Sequence, residues 1–309
     1  MNKLIATRDA YGEALVALGE SEEIFVFDAD LSCATKTEHF AAKYPERFFQ
    51  MGIAEQDMMG TAAGAAVMGK TPFVSTFALF ATGRAYEQVR NSIAYPNLNV
   101  KIAASHSGIT VGPDGGSHQS VEDIGLMRLV PNMKVVVPAD AYETRKVLEA
   151  ALAIEGPFYI RLGRNPVPVL FNDDYEYEFG KISTLTDGSD LSIAATGIMV
   201  TEALQAAELL KKDGINVRVL NVHTIKPLDK ETIIKAAEET KLIVSVEEHS
   251  IIGGLGAAIC ELLCEQRPTP VVRMGLNDTF GQSGSPEELL EYYGLTADNI
   301  VKRVKTVLA

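Results

Sequence analysis

The sequence predicts an α/β protein of two tandem domains, each a mainly parallel sheet covered by helices. Three observations lead there. Apolar runs of about five residues alternate with helix-patterned segments, the mark of buried parallel strands joined by crossover helices. That alternation lapses once, between residues 166 and 189, and then resumes. The chain has 309 residues, 47% of them hydrophobic and 22% charged, which is enough for two ordinary cores.

The elements follow in order. Residues 8–20 read as an amphipathic helix, and EEIFVFDAD supplies a strand ending at Asp28 and Asp30. A short helix is expected near 37–44, after which ERFFQMGIAEQ leads into a helix beginning near Glu55. TPFVSTF reads as a strand, ALFATGRAYEQVRNSIAY as a helix and NVKIAAS as a strand. The long loop HSGITVGPDGGSHQSVED is followed by a helix, the strand MKVVVPA, a helix over 140–153 and the strand PFYIRL. Two prolines, clustered acids and turn residues then mark 166–189 as a linker holding a small hairpin, between a domain at 1–165 and another at 190–309. The second series has strands in DLSIAAT, INVRVLNV, KLIVSVEE and TPVVRMG, helices at 198–212, 229–239 and 254–265, and two terminal helical segments.

With 28 basic and 41 acidic residues the net charge is -13. That opposes nucleic acid and anionic membrane surfaces as partners, so any bound phosphate must be met by a few placed cations. The apolar runs stop short of the roughly 20 residues a membrane span needs. The N-terminal MNKLIATRDAYGEAL lacks the apolar core of a signal peptide, so the cytoplasm is the expected compartment. Three cysteines, Cys33, Cys260 and Cys264, form no CxxC and no disulfide framework.

Four segments could carry chemistry. In MGIAEQDMMGTAAGAAVMG, Glu55 opens a helix of small residues. A first-turn carboxylate is ordinarily a partner for the helix dipole; in surroundings this dry it instead needs a raised pKa or a partner sharing a proton. In TFALF, Phe77 and Phe80 share one face, as core residues or as the wall of a binding site. SHSGITVGPDGGSHQ is a glycine-rich loop after a strand and carries His106, Asp114 and His118. Its spacing does not suit a metal, whereas His and Asp suit hydroxyls or phosphate. In YIRLGRN, Arg161 and Arg164 at a strand end are salt-bridge partners or a phosphate clamp. SIIGGLGAAICELL lacks the third glycine of a dinucleotide fingerprint and is expected to reflect close helix packing.

Taken in order, GIAEQ, TFALF, HSGITVGPDGGSHQ, LGRN, VEEHSIIGGLG and FGQSGSPEELLEYYGL resemble the C-terminal half of the transketolase family of thiamine diphosphate enzymes. The resemblance implies a pyrimidine-binding domain followed by the family's C-terminal domain. The GDG…N segment that holds the diphosphate through a divalent cation does not occur in these residues. A partner N-terminal subunit would therefore supply it, with Mg2+ or Ca2+, in a two-plus-two heterotetramer. By motif match, Glu55 would hydrogen-bond the aminopyrimidine of thiamine diphosphate, Phe77 and Phe80 would lie against that ring, and Asp30 would stand at the cofactor edge. His118 would contact the donor's reacting end, Asp114 a substrate hydroxyl, and His106 and Arg164 the sugar phosphate. The implied reaction transfers a two-carbon ketol unit from a ketose phosphate to an aldose phosphate. Two departures are visible: the loop reads Pro113-Asp114-Gly115-Gly116 where the family more often has Glu before the Asp and Pro after the Gly, and a phosphate-holding serine falls near Ala34, with Thr35 adjacent. The β subunit of a 2-oxo acid dehydrogenase and deoxyxylulose-phosphate synthase share parts of this pattern, and a non-catalytic scaffold of the same fold is the reading from another class.

Overall fold

The computed structural model describes residues 3–308. The chain folds as two compact units: one comprises residues up to Ser107 with Leu126–Phe179, the other Gly108–Gly125 with the residues from Gly180 onward.

In the first unit the strands are β1 (Leu4–Ala6), β2 (Ile24–Asp28), β3 (Phe48–Gln50), β4 (Thr71–Ser75), β5 (Lys101–Ala104), β6 (Lys134–Val136), β7 (Phe158–Arg161) and β8 (Pro166–Pro168). Six of them form one sheet in the order β6-β7-β5-β4-β2-β3, every neighbouring pair parallel. Its central strands are largely buried on both faces, which explains their mainly apolar sequences. Helices Thr7–Leu18 and Ala141–Ala153 cover the sheet, and Tyr11, Leu15, Ile24, Phe40, Phe73, Leu148 and Phe158 belong to one core cluster.

The second unit has β9 (Ser183–Thr186), β10 (Leu191–Ala195), β11 (Val217–Asn221), β12 (Thr224–Lys226), β13 (Ile243–Ser250) and β14 (Val271–Leu276). Five of these form a sheet ordered β14-β13-β10-β11-β9, parallel except for β9 at the edge. Helices Met199–Lys212, Lys230–Glu239 and Leu255–Gln266 connect its strands, and Pro286–Tyr292 and Ala297–Leu308 end the chain. The α/β class and the mainly parallel sheets are as the sequence predicts.

Three details differ from expectation. The segment 166–189 contains no hairpin: β8 pairs antiparallel with β1, and β9 pairs antiparallel with β11. β8 and β1 form a two-stranded sheet of their own and β9 takes the edge of the second unit's sheet, choices that three or four residues cannot encode. The three-residue strands β1 and β3 were likewise too short to show a period. Finally, the helix after TFALF is not uniformly α: Phe80–Arg84 and Val89–Ala94 are wound as π-helix, with Tyr86–Gln88 α-helical between them. Wide turns of this kind gather at functional sites more than elsewhere.

Candidate active site

A parallel sheet offers its loops at the carboxyl ends of the strands, and ligands of such folds bind there. The first unit's candidate residues converge on that edge. β2 ends at Asp28 and leads to Asp30, β4 leads to Phe77, β5 to His106 and β7 to Arg164. Glu55 follows β3 and is the first residue of helix Glu55–Val67.

Glu55 is 2% exposed. No side chain caps this helix, so its N-terminal dipole favours a carboxylate. One cation meets it directly: Arg84 Nη1 lies 3.3 Å from Oε1 and 3.2 Å from Oε2. Arg84 sits at the end of the first π-turn, is 54% exposed, and covers the Phe80 ring at 5.1 Å. The Phe80 and Phe77 rings are stacked with centroids 5.8 Å apart, and Phe77 stacks in turn on the His106 imidazole at 3.8 Å. Phe77 is buried and Phe80 half-buried. The sequence-predicted set Glu55, Phe80, Phe77 and His106 is thus one connected series of contacts, with Arg84 as the link between Glu55 and Phe80.

His106 is held where few residues sit. Its φ of 57° is left-handed, its Nδ1 is 2.9 Å from Ser105 Oγ, and the residue is buried. A side chain there is strained unless its surroundings over-determine it, which is commonest at functional sites.

Arg164 and Arg8 influence each other electrostatically. Burial lowers the Arg8 pKa, Asp9 opposes this, and Arg164 lowers it further. Arg8 Nη1 donates to Ala34 O at 2.8 Å, while its buried Nε has no hydrogen-bond partner among the described residues. Gly163 N donates to Thr7 Oγ1 at 2.8 Å, tying the start of helix Thr7–Leu18 to the loop that carries Arg164. Two guanidiniums in mutual repulsion, one with a buried donor to spare, have the chemistry to hold an anion. Arg8 was missed from the sequence because a helix-start arginine looks like any surface cation. Arg161, by contrast, is buried.

The neighbouring loop is fixed from below. Asp28 is fully buried and accepts from Leu31 N (2.6 Å), Thr35 Oγ1 (2.7 Å) and Thr37 Oγ1 (2.9 Å); burial still raises its pKa. Thr35 therefore spends its hydroxyl on Asp28. Asp30 is exposed, has φ 63°, and its N–H donates to Gln50 Oε1 at 2.7 Å.

In the second unit, Asp114 is exposed and His118 half-buried, with His118 Nδ1 3.0 Å from Ser117 Oγ. Their loop is braced by the VEEH segment of β13. The Glu248 carboxylate accepts from Thr110 N, and a Cβ on Gly108 (φ 74°) would lie 2.3 Å from that carboxyl carbon. His249 Nε2 accepts from Gly125 N at 3.3 Å. The Gln119 amide donates to Ile109 O, Gly112 O and Gln282 O.

GGLG is a packing device. Glu247 accepts from Leu255 N (2.6 Å) and Gly256 N (2.8 Å), so the protein's own carboxylate fills this helix N-terminus. A Cβ on Gly254 would fall 1.9 Å from Glu247 Oε2. Among the described residues no cluster of three or more His, Cys, Asp or Glu is arranged to hold a metal, and no helix is long and apolar enough to cross a membrane.

Comparison with known proteins identifies the family. The family model for the transketolase pyrimidine-binding domain matches residues 3–169, and that for the transketolase C-terminal domain matches residues 180–300. A putative transketolase C-terminal section from Methanocaldococcus jannaschii is 49% identical over 301 residues, covering 96% of this chain and 94% of that protein. A 6-deoxy-6-sulfo-D-fructose transketolase subunit, SqwH, from a Clostridium species is 44% identical, covering 97% and 94%. Transketolase of Homo sapiens is 38% identical over 98% of this chain but only 49% of its own length, so the chain spans about half of a single-chain transketolase. A solved structure described as "Split gene transketolase, inactive beta4 tetramer" superposes with a TM-score of 0.89 at 53% identity, covering 98% of this chain and 97% of that one. The chain belongs to the transketolase family and corresponds to the C-terminal section of a split transketolase.

Proposed function

We propose that this chain is the C-terminal subunit of a thiamine diphosphate-dependent transketolase. With a partner N-terminal subunit it transfers a two-carbon ketol unit from a ketose phosphate to an aldose phosphate. The observation that carries this reading is the Glu55–Arg84–Phe80 contact. A planar, nitrogen-rich cation is hydrogen-bonded to a buried carboxylate while covering an aromatic face. Those are the two contacts an aminopyrimidine ring would need, and Arg84 is exposed enough to swing aside. The residues fit the group.

Thiamine diphosphate, when bound, supplies the carbon nucleophile and electron sink that cleavage beside a ketose carbonyl requires. Glu55 would hold a proton at the aminopyrimidine ring nitrogen, in a helix mouth where no water competes. Phe80, backed by Phe77, would set the ring's plane, and Asp30 would stand at its edge. Arg8, Arg164 and His106 would hold the donor's terminal oxyanion, which reconciles anion binding with a charge of -13. Asp114 would take a sugar hydroxyl and His118 would move a proton at the donor's reacting oxygen. The partner would contribute the diphosphate site and its Mg2+ or Ca2+, in a two-plus-two assembly acting in the cytoplasm. The SqwH relative is named for a sulfonated sugar, and a guanidinium pair meets a sulfonate as it meets a phosphate.

Mixing the chain with the N-terminal subunit, thiamine diphosphate and Mg2+ tests this. Consumption of a ketose phosphate should require both chains and an aldose acceptor. Consumption of pyruvate instead would transfer the chain to the oxo-acid enzymes, and no turnover of either would support a scaffold.

A further inference from the structure

The second unit has a cavity of about 550 Å³ at the end of β14, lined also by the Tyr293–Gly294 turn and helix Ala297–Leu308. Three cations line it, Arg273, Lys302 and Arg303, and no lining residue is acidic. That is a marked local excess in a chain with thirteen more acids than bases. None of the three is ion-paired among the described residues. Arg273 donates to Ile251 O (2.8 Å), Lys302 reaches Asn299 Oδ1 (3.4 Å), and Arg303 makes no hydrogen bond there. Other cations of the unit are paired. Lys305, on the same helix, meets Asp213 at 2.8 Å, and Arg218 meets Glu239 at 2.7 Å.

We propose that this cavity is a second anion site, distinct from the Arg8–Arg164 pair, and that it binds a small metabolite carrying two phosphate groups. Three unpaired cations call for two to three negative charges, and guanidiniums match phosphate oxygens with two parallel hydrogen bonds. The volume lies in the range of small-molecule sites. The Asn277 amide, and the Thr306 hydroxyl oxygen as an acceptor, would meet hydroxyls of the scaffold between the phosphates. A sugar bisphosphate and a nucleoside diphosphate share this chemistry.

The test titrates the full chain with inorganic pyrophosphate at about 150 mM salt, where loose surface attraction is screened. An Arg164→Gln background weakens the first-unit site. One equivalent should bind. Lys302→Gln/Arg303→Gln should weaken it by roughly tenfold or more, Arg303→Gln alone by less, and Lys305→Gln should leave it unchanged. These positions are exposed on a helix, so the variants should melt as the parent does. Parallel titrations with ADP and with a sugar bisphosphate identify the scaffold by which one improves on pyrophosphate. The proposal is overturned if pyrophosphate does not bind, if Lys305→Gln weakens binding as much as the double change, or if neither scaffold improves on pyrophosphate.

Discussion

Arg84 holds both oxygens of Glu55 through a single nitrogen, Nη1, at 3.3 and 3.2 Å, although Glu55 is 2% exposed and Arg84 54%. The carboxylate belongs to the interior and its counter-ion to the surface. Such a pair can be opened from one side only, by moving the arginine.

On the proposed reading, Glu55→Gln keeps the shape and a hydrogen-bonding group but cannot hold the proton in the same way. Exchange of the thiazolium C2 proton into deuterium oxide, followed by NMR on the reconstituted complex, should slow greatly while the assembly stays folded. If Glu55 only serves the helix dipole, worth about 0.3–1 kcal/mol, the exchange rate will not change and the catalytic role is refuted.

Arg84→Ala leaves the buried carboxylate without its cation. The isolated chain should lose about 1 kcal/mol, a charged hydrogen bond discounted for the solvent around the arginine. With partner subunit and cofactor present the loss should vanish, because the aminopyrimidine takes the guanidinium's place. Equal melting deficits in both states would mean that Arg84 keeps Glu55 in the complex.

Arg164→Ala and Arg8→Ala should each raise KM for a phosphorylated donor while sparing hydroxypyruvate, which has no terminal phosphate. A lost charged hydrogen bond of roughly 1.5–3 kcal/mol corresponds to about tenfold to a hundredfold or slightly more. Loss on both donors alike would indicate a structural role for the arginine tested.

Two buried groups contribute to the pH dependence of stability. Burial, with Lys134 nearby, lowers the Lys101 pKa to about 7, and its ammonium donates to Ile154 O and Gly156 O. Between pH 7 and about 10.5 the unfolded chain carries a proton that the folded one does not, so stability should rise with pH through that window. Lys101→Met should remove this rise, at most about 1.4 kcal/mol per pH unit; losing the two carbonyl contacts shifts stability without a slope. Burial lowers the His223 pKa to about 4, so its contribution should be lost as pH falls from about 6.5 to 4. Urea midpoints measured across pH check both, and parallel curves for Lys101→Met and the parent would refute the first.

Gly254→Ala should destabilise by about 1–3 kcal/mol, since its Cβ would overlap the Glu247 carboxylate. Urea unfolding measures this. Unchanged stability would mean that the GGLG turn has room for a ligand after all.

The sequence by itself determined the α/β class, the order of the long elements and the lapse near residue 166. Each rests on a local period or run: the mostly buried run IFVFD, the five buried residues of LSIAA, a 3.6-residue stripe in MVTEALQAAELLKK. It also named Glu55, Phe77, Phe80 and His106, because side chains at strand ends and helix starts are located by the elements themselves. Only the tertiary structure decided who meets whom. That β8 joins β1, that Arg84 turns to Glu55 through a π-turn, and that Arg8 and Arg164 influence each other are relationships between residues from 29 to 164 positions apart. No local pattern carries such distances. They follow from how the strands order themselves in a sheet, where the hydrophobic effect buries whole faces and leaves charged groups to find partners at the edge.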